Sequence, residues 1–292
     1  MAAPLRVENL LADIEAFAPA ALAEAWDNVG LMVGDPAWEV SGVLVALDPT
    51  QKVLAEAAAA GLNVIITHHP LIFHPLKAIR LDQPLKAIRL VQPVGRLLDA
   101  ALRQEIAVVG CHTNLDVIPQ GVSDILATRL GLIGSQPLTL NEGHDEAVGF
   151  GRIGDIPGGI SGEEFLQRLF TVLGITAVQL AGRLPDRITR AAACGGSGSA
   201  LVETAWRQGA QVFVAGEIKH SEARWAEAND FCVIDAGHYA TENVAMPALV
   251  ARLRETVATR GAEIPVRAAA SQRNPFMHRM VQECGSVKKQ QQ

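Results

Sequence analysis

Val43-Leu-Val-Ala-Leu-Asp48, then Pro49-Thr50, an Ala-rich run over 52–60, and Gly61-Leu-Asn-Val-Ile-Ile-Thr-His68-His69-Pro70 form the stretch that decides the fold. Two short apolar runs bounded by turn residues read as buried strands, and the run between them reads as a helix that stops at Gly61. Strand, helix and strand in this order imply a parallel pair with helical cover, the building unit of an α/β protein. His68 and His69 stand at the mouth of the second strand. Adjacent imidazoles fill a core poorly, whereas neutral imidazole is the commonest protein metal ligand.

Outward from this unit, 7–25 has helical periodicity with Leu10, Leu11, Ile14, Phe17 and Leu22 along one face, ending at Trp26-Asp27-Asn28. Residues 92–104 read as a helix, 106–110 as a strand, and 122–130 as a helix. Strands are expected at 146–154, 177–180 and 190–194, with a helix over 162–173 and another reaching Gln208. The stretches 43–116 and 190–242 follow one β-α-β-α-β pattern. Gly61 and Gly209 align without a gap as far as His69 and Glu217, after which His112 and Asp116 match His238 and Glu242. The expectation is two pseudo-equivalent α/β lobes with helices packed on mixed sheets. Their expected spans are 1–127 plus 236–292 and 128–235, with a dinuclear metal site between them. The segment 75–83 is repeated at 84–92 with one difference. A single tandem copy is no solenoid array, and it reads as a local duplication that lengthens a surface loop.

Composition limits the function. The chain has 292 residues, 49% hydrophobic, so a full core can be buried, while only 4% are aromatic. A net charge of −6 argues against a general nucleic-acid binder. No apolar run reaches the length of a membrane span, and Arg6, Glu8, Asp13 and Glu15 interrupt any signal-peptide core. A cytoplasmic location is expected. The four cysteines, Cys111, Cys194, Cys232 and Cys284, lack C-x-x-C spacing and read as reduced thiols. Cys111 sits beside His112, which leaves a thiolate ligand open as the lesser alternative.

Three histidine sites carry the chemistry: His68-His69, His112-Thr-Asn-Leu-Asp116 and His238-Tyr-Ala-Thr-Glu242. All fall at expected strand C-terminal ends, where open α/β sheets place ligands. Mixed imidazole and carboxylate donors favour Zn, Mn, Fe, Co or Ni over Ca and Mg. Three of these histidines with the two carboxylates make five donors, which suit two such ions. Two divalent ions against two carboxylates leave positive charge that favours a small anionic substrate such as a phosphate ester. Gly195-Gly-Ser-Gly-Ser199 reads as a tight turn, with a backbone cradle for phosphate as the alternative. Glu217 is a candidate general base and Lys219 a candidate anion holder; a solvated polar cluster is the competing reading.

Trp26-Asp-Asn-Val-Gly-Leu31, Ile66-Thr-His-His-Pro-Leu-Ile-Phe73, His112-Thr-Asn-Leu-Asp116, Cys194-Gly-Gly-Ser-Gly198, Gly216-Glu-Ile-Lys-His220 and Gly237-His-Tyr-Ala-Thr-Glu242 together resemble the NGG-interacting-factor-three-like family, whose bacterial members are often labelled GTP cyclohydrolase type 2 homologues. The resemblance spans roughly 7–276. It implies two α/β lobes, a toroidal homohexamer and a dinuclear metal site facing an internal cavity. It also implies the ligands His68, His69, Asp116, His238 and Glu242, with His112 behind them or as an alternate ligand. The repeat at 75–92 departs from the family pattern. Two functions remain open: a metal-dependent hydrolase of a nucleotide or other phosphorylated small molecule, and a metal-binding scaffold, chaperone or regulatory protein with little turnover.

Overall fold

The computed structural model describes residues 4–76, 93–141, 143, 145–281 and 287–290. Apart from Pro75 and Leu76, the tandem repeat lies outside them. The chain divides into two compact units, Met1–Ile118 with Met246–Gln272, and Pro119–Ala245 with Arg273–Gln292. These boundaries differ from the expected 1–127 plus 236–292 and 128–235. Packing supplies the reason. Leu126 and Ala127 of the Val122–Arg129 helix and Ala236 and Ala240 beside His238 all belong to one core with Val212, Val214 and Ile234.

The first unit is built on β1 (Gly30–Val33), β2 (Val43–Ala46), β3 (Val64–Thr67) and β4 (Ala107–Gly110), together with the late strand Val266–Ala268. The sheet order is β1, β4, β3, β2, Val266–Ala268. Only β1 runs antiparallel to its neighbour. Every residue of β2, β3 and β4 is buried, as expected of parallel strands covered on both faces. Val53, Leu54 and Ala57 of the Gln51–Ala59 helix pack on Leu44, Ile65 and Val108. Burying a side chain such as Ile65 contributes about 1.5–3 kcal/mol. Thr50 starts that helix by accepting a hydrogen bond from the Val53 amide at 3.2 Å. The expected helix over 7–25 is shorter than its periodicity suggests. It runs Val7–Phe17, and a 3₁₀ turn follows at Ala20–Leu22. Pro19 causes the break, because the residue before a proline is pushed out of the helical region.

The second unit carries β5 (Ile133–Gln136), β6 (Thr139–Leu140), β7 (Gly149–Phe150), β8 (Arg152–Ile160), β9 (Gln179–Ala181), β10 (Ile188–Ser197), β11 (Val212–Gly216) and β12 (Cys232–Asp235). Its main sheet has the order β5, β8, β10, β11, β12, β9. Alternation along the central strands splits the core in two. Ala191, Ala193, Val212, Val214, Cys232 and Ile234 face one side, where Phe165 and Leu169 of the Gly162–Leu173 helix cover them. Ala192, Cys194, Phe213, Ala215 and Val233 face the other, under Val202, Ala205 and Ala226.

The two sheets repeat one topology. β2, β3 and β4 form a parallel trio in chain order, and the preceding β1 pairs antiparallel with β4. Likewise β10, β11 and β12 form a parallel trio, and the preceding β9 pairs antiparallel with β12. His68 and His69 follow β3 where Glu217 follows β11. His112 and His238 both lie just beyond the third parallel strand, at the start of the short helices Thr113–Asp116 and His238–Asn243.

Candidate metal centre

In the first unit one ring nitrogen from each of His68, His69 and His112 lies within 4.8 Å of the others. Their ring centroids are 5.2–5.6 Å apart. Each Nδ1 has an oxygen partner. His68 Nδ1 faces the Cys111 carbonyl at 2.9 Å, His69 Nδ1 faces Asp48 Oδ1 at 2.7 Å, and His112 Nδ1 faces Asp27 Oδ1 at 2.8 Å. A carbonyl or carboxylate only accepts, so each ring places its proton on Nδ1, the tautomer of a histidine that binds metal through Nε2. Asp116 adds a carboxylate, with Oδ1 3.5 Å from His68 Nε2. His68 is fully buried.

The Asp27 side chain is shielded from solvent and densely hydrogen bonded. Thr113 donates to its Oδ2 from the amide at 3.0 Å and from Oγ1 at 2.5 Å. Burial by itself raises the Asp27 carboxyl, but the hydrogen bonds from His112 and Thr113 outweigh it and hold the group well below the ordinary carboxylate range. Burial pushes the Cys111 thiol up to about 12. Among the described residues Cys111 belongs to neither group of side chains that could hold a metal ion. Cys111 contributes its backbone carbonyl to His68 instead.

The second unit holds the matching pair. His238 Nε2 is 3.0 Å from Glu242 Oε2, one helical turn on, and His238 Nδ1 is 3.2 Å from Glu217 Oε1. Glu242 is buried. Glu217 occupies the left-handed region at φ 56°, an unfavourable conformation for a side chain with a Cβ. The turn around it is pinned. Ser199 Oγ donates to the Glu217 carbonyl, the Lys219 amide donates to Ser199 Oγ, and the Ile218 amide donates to Asp235 Oδ2, all at 2.8–2.9 Å. Glu217 therefore sits beside the His238 ring, with Oε1 facing Nδ1. Lys219 is exposed ahead of the His220–Ala228 helix.

The glycine-rich run begins as the end of β10 and lies against the helix that bears His238 and Glu242. Three of its amides are already committed: Gly195 to Ser123 Oγ at 3.2 Å, Gly196 to Thr241 Oγ1 at 3.1 Å and Gly198 to the Gly216 carbonyl at 3.2 Å. At Gly196, with φ 65°, a Cβ would stand 2.2 Å from Glu242 Oε1. At Gly216 it would stand 2.6 Å from the His238 backbone. These two glycines let β10 and β11 close on the helix that bears His238 and Glu242.

A family model described as Duf34/NIF3 (NGG1p interacting factor 3) matches residues 5–275. The chain belongs to this family. A Clostridium acetobutylicum relative called GTP cyclohydrolase 1 type 2 homolog is 30% identical over 93% of this chain and 98% of its own length. A Lactococcus lactis relative of the same name is 34% identical over 80% of this chain and 86% of its own. Among solved structures, a Staphylococcus aureus hypothetical protein matches with a TM-score of 0.84 and 29% identity, over 94% of this chain and all of its own. A Bacillus cereus protein related to NIF3 shares the fold, with a TM-score of 0.85 and 23% identity over 94% of this chain and all of its own.

Every metal-ligand candidate chosen from the sequence lies in the described part of this Duf34/NIF3 chain. His68, His69 and Asp116 gather in the first unit, and His238 and Glu242 in the second. His112 groups with His68 and His69 more closely than its expected supporting place required. Sequence reasoning assigned no role to Asp27 or Asp48. Asp48 lies just beyond β2, the strand that pairs with the His-His strand. No described helix is long and apolar enough to cross a membrane.

Proposed function

We propose that this Duf34/NIF3 protein is a metal-dependent hydrolase acting on a nucleotide or other phosphorylated small molecule. In this reading His68, His69, Asp116, His238 and Glu242 together hold two divalent transition ions, with His112 as a sixth donor. The single observation that carries it is the treatment of the histidines. Three of the four have Nδ1 hydrogen bonded to an oxygen, and Glu217 faces the fourth at 3.2 Å. Three rings held by one edge are costly to arrange for packing alone, and the arrangement suits ligation through Nε2.

Bound divalent ions supply Lewis acidity and make water acidic enough to serve as a nucleophile near neutral pH. The chain's own contribution is orientation. Asp27, Asp48 and the Cys111 carbonyl hold three rings, Glu217 faces the fourth, and the buried Glu242 and largely buried Asp116 offset part of the metal charge. The charge left over draws an anionic substrate. A cytoplasmic homohexamer belongs to the same proposal, and light scattering that reports a monomer at micromolar concentration counts against that assembly. GTP ring opening is one version of the reaction, supported by the relatives' names alone.

The alternative is a metal-binding scaffold without significant turnover. One observation favours it: Glu217, the general-base candidate, is directed at His238. The deciding experiment loads the protein with zinc or manganese, confirms the metal by elemental analysis, and assays formate and phosphate release across a nucleotide panel. His68→Ala serves as the control. Turnover that vanishes in His68→Ala supports the hydrolase. A flat panel with tight metal binding supports the scaffold, and no metal after reconstitution refutes both.

A further inference from the structure

The His69 ring is held by more than its own carboxylate. Asp48 faces His69 Nδ1 with Oδ1 at 2.7 Å, and its Oδ2 accepts from Gln272 Nε2 at 2.9 Å. Gln272 Oε1 accepts from the backbone amides of Leu47 and Asp48, both at 3.1 Å. One buried amide side chain thus grips the end of β2 twice, as acceptor for two N–H groups and as donor to the carboxylate. Its orientation follows from its neighbours, since a flipped amide would set NH₂ against two N–H donors and its oxygen against a carboxylate. The segment that delivers Gln272 is itself anchored. The Ala269 amide donates to the Val45 carbonyl at 2.8 Å, and Glu56 accepts from the amides of Ala270 and Ser271 at 2.8 Å each.

We propose that Gln272 and Asp48 form a positioning clamp that fixes the tautomer and ring direction of His69, so that Nε2 is presented to a divalent transition ion. The inference rests on His69 being a metal ligand. Gln272 carries no charge, so its influence is geometric: it stops the Asp48 carboxylate from rotating away from the ring. Partners of this kind behind a metal ligand change affinity by about 10–100-fold when removed. Asp48→Asn is the sharper perturbation. Its amide can donate to His69 Nδ1 and so favour the tautomer with the proton on Nε2, which blocks ligation.

The test measures zinc affinity of the metal-free full chain by competition with a chromophoric chelator. The variants are Gln272→Met, Asp48→Asn and His69→Ala. Alongside it, nitrogen-15 NMR at pH 8 reads the His69 tautomer in metal-free protein, with His69→Ala identifying the signal. We expect zinc binding weakened about 10-fold in Gln272→Met and up to about 100-fold in Asp48→Asn. The Nδ1–H tautomer should dominate in the wild type and lose ground in both clamp variants. A merely structural Gln272 would lower the melting temperature and leave the tautomer ratio alone. Wild-type zinc affinity in Gln272→Met, or a wild-type His69 with its proton on Nε2, overturns the clamp. The second readout needs no variant of Gln272 to fold. Should His69→Ala bind zinc as tightly as the wild type, the ligand reading fails and the clamp falls with it. Should only Gln272→Met do so, the clamp alone falls.

Discussion

Gly196→Ala separates backbone cost from ligand displacement at the most crowded glycine of the candidate centre. Its φ of 65° lies in the left-handed region, which costs an alanine about 1–2 kcal/mol. The new methyl would stand 2.2 Å from Glu242 Oε1 and 3.1 Å from the carboxylate carbon. Comfortable contact needs about 3.5 Å, so the carboxylate must retreat by roughly 1 Å. Metal ligands tolerate about 0.2 Å, and Glu242 is buried among neighbours that leave it little room. The stability cost is therefore modest, while the cost to metal binding is large. In a chain of this size 1 kcal/mol corresponds to about 2–4 °C of melting temperature. Calorimetry in chelator should show a drop of a few degrees for Gly196→Ala. Zinc competition titration should show affinity lowered by about 10-fold or more, a loss at the level of binding that the stability change does not explain. A variant that melts a few degrees lower and yet binds zinc like the wild type would refute the reasoning, because Glu242 would then be free to move without consequence.

Asp116→Ala and Glu242→Ala should each erase the zinc-dependent rise in melting temperature, a rise worth about 2.7 kcal/mol at a hundred times Kd; melts with and without chelator check this. Asp124→Asn should destabilise the protein by about 2–4 kcal/mol in urea unfolding, since it removes the charge 3.1 Å from the buried Arg152 guanidinium. Its Gly149 and Gly151 carbonyl partners, at 2.7 and 2.8 Å, remain. Glu56 gives a pH signature. Burial raises its carboxyl, but hydrogen bonds from Ser271 and the amides of Ala270 and Ser271 outweigh it and lower the folded value below 4.5. A depressed folded value means stability present above the unfolded value and lost as pH falls through the folded one. The melting-temperature gap between wild type and Glu56→Gln should be constant near neutrality and close progressively below about pH 4.5, and a gap that widens in acid would contradict this assignment.

Legibility in the sequence followed the range of the forces involved. The strands around His68 and the Gly162–Leu173 helix could be read directly, because apolar runs and local caps define them. Ser161 and Glu164 form a reciprocal capping box, and Gly174 ends the helix at φ 64°. The 7–25 helix was overextended because its apolar period continues past the break that Pro19 imposes. Ile133–Gln136 escaped notice, since Ile-Gly-Ser-Gln has no alternation and is mostly exposed. The compact units differ from the expected lobe spans because nothing local in 122–129 says which sheet will bury Leu126. Chemistry-bearing types at strand ends were visible as His68, His69, Asp116, His238 and Glu242. Their supports were not, for a physical reason. Asp27 and Asp48 act on rings 85 and 21 positions away, and Gln272 on a strand 225 positions away. No window of sequence contains such pairs.

The first unit is written in two instalments, and this sets the order of events on a ribosome. Residues up to Ile118 leave the tunnel carrying β2 with one edge unpaired, and the strand Val266–Ala268 that covers that edge arrives after the whole of 119–245. At about 5–20 residues per second this leaves an open edge for roughly ten to thirty seconds. The sheet of the second unit is synthesised without interruption during that interval. Gln272, which grips the end of the waiting strand, emerges a few residues behind its cover. The nascent chain therefore carries His69 and Asp48 without Gln272 for most of its synthesis, and chaperones that bind exposed strand edges have their longest opportunity there.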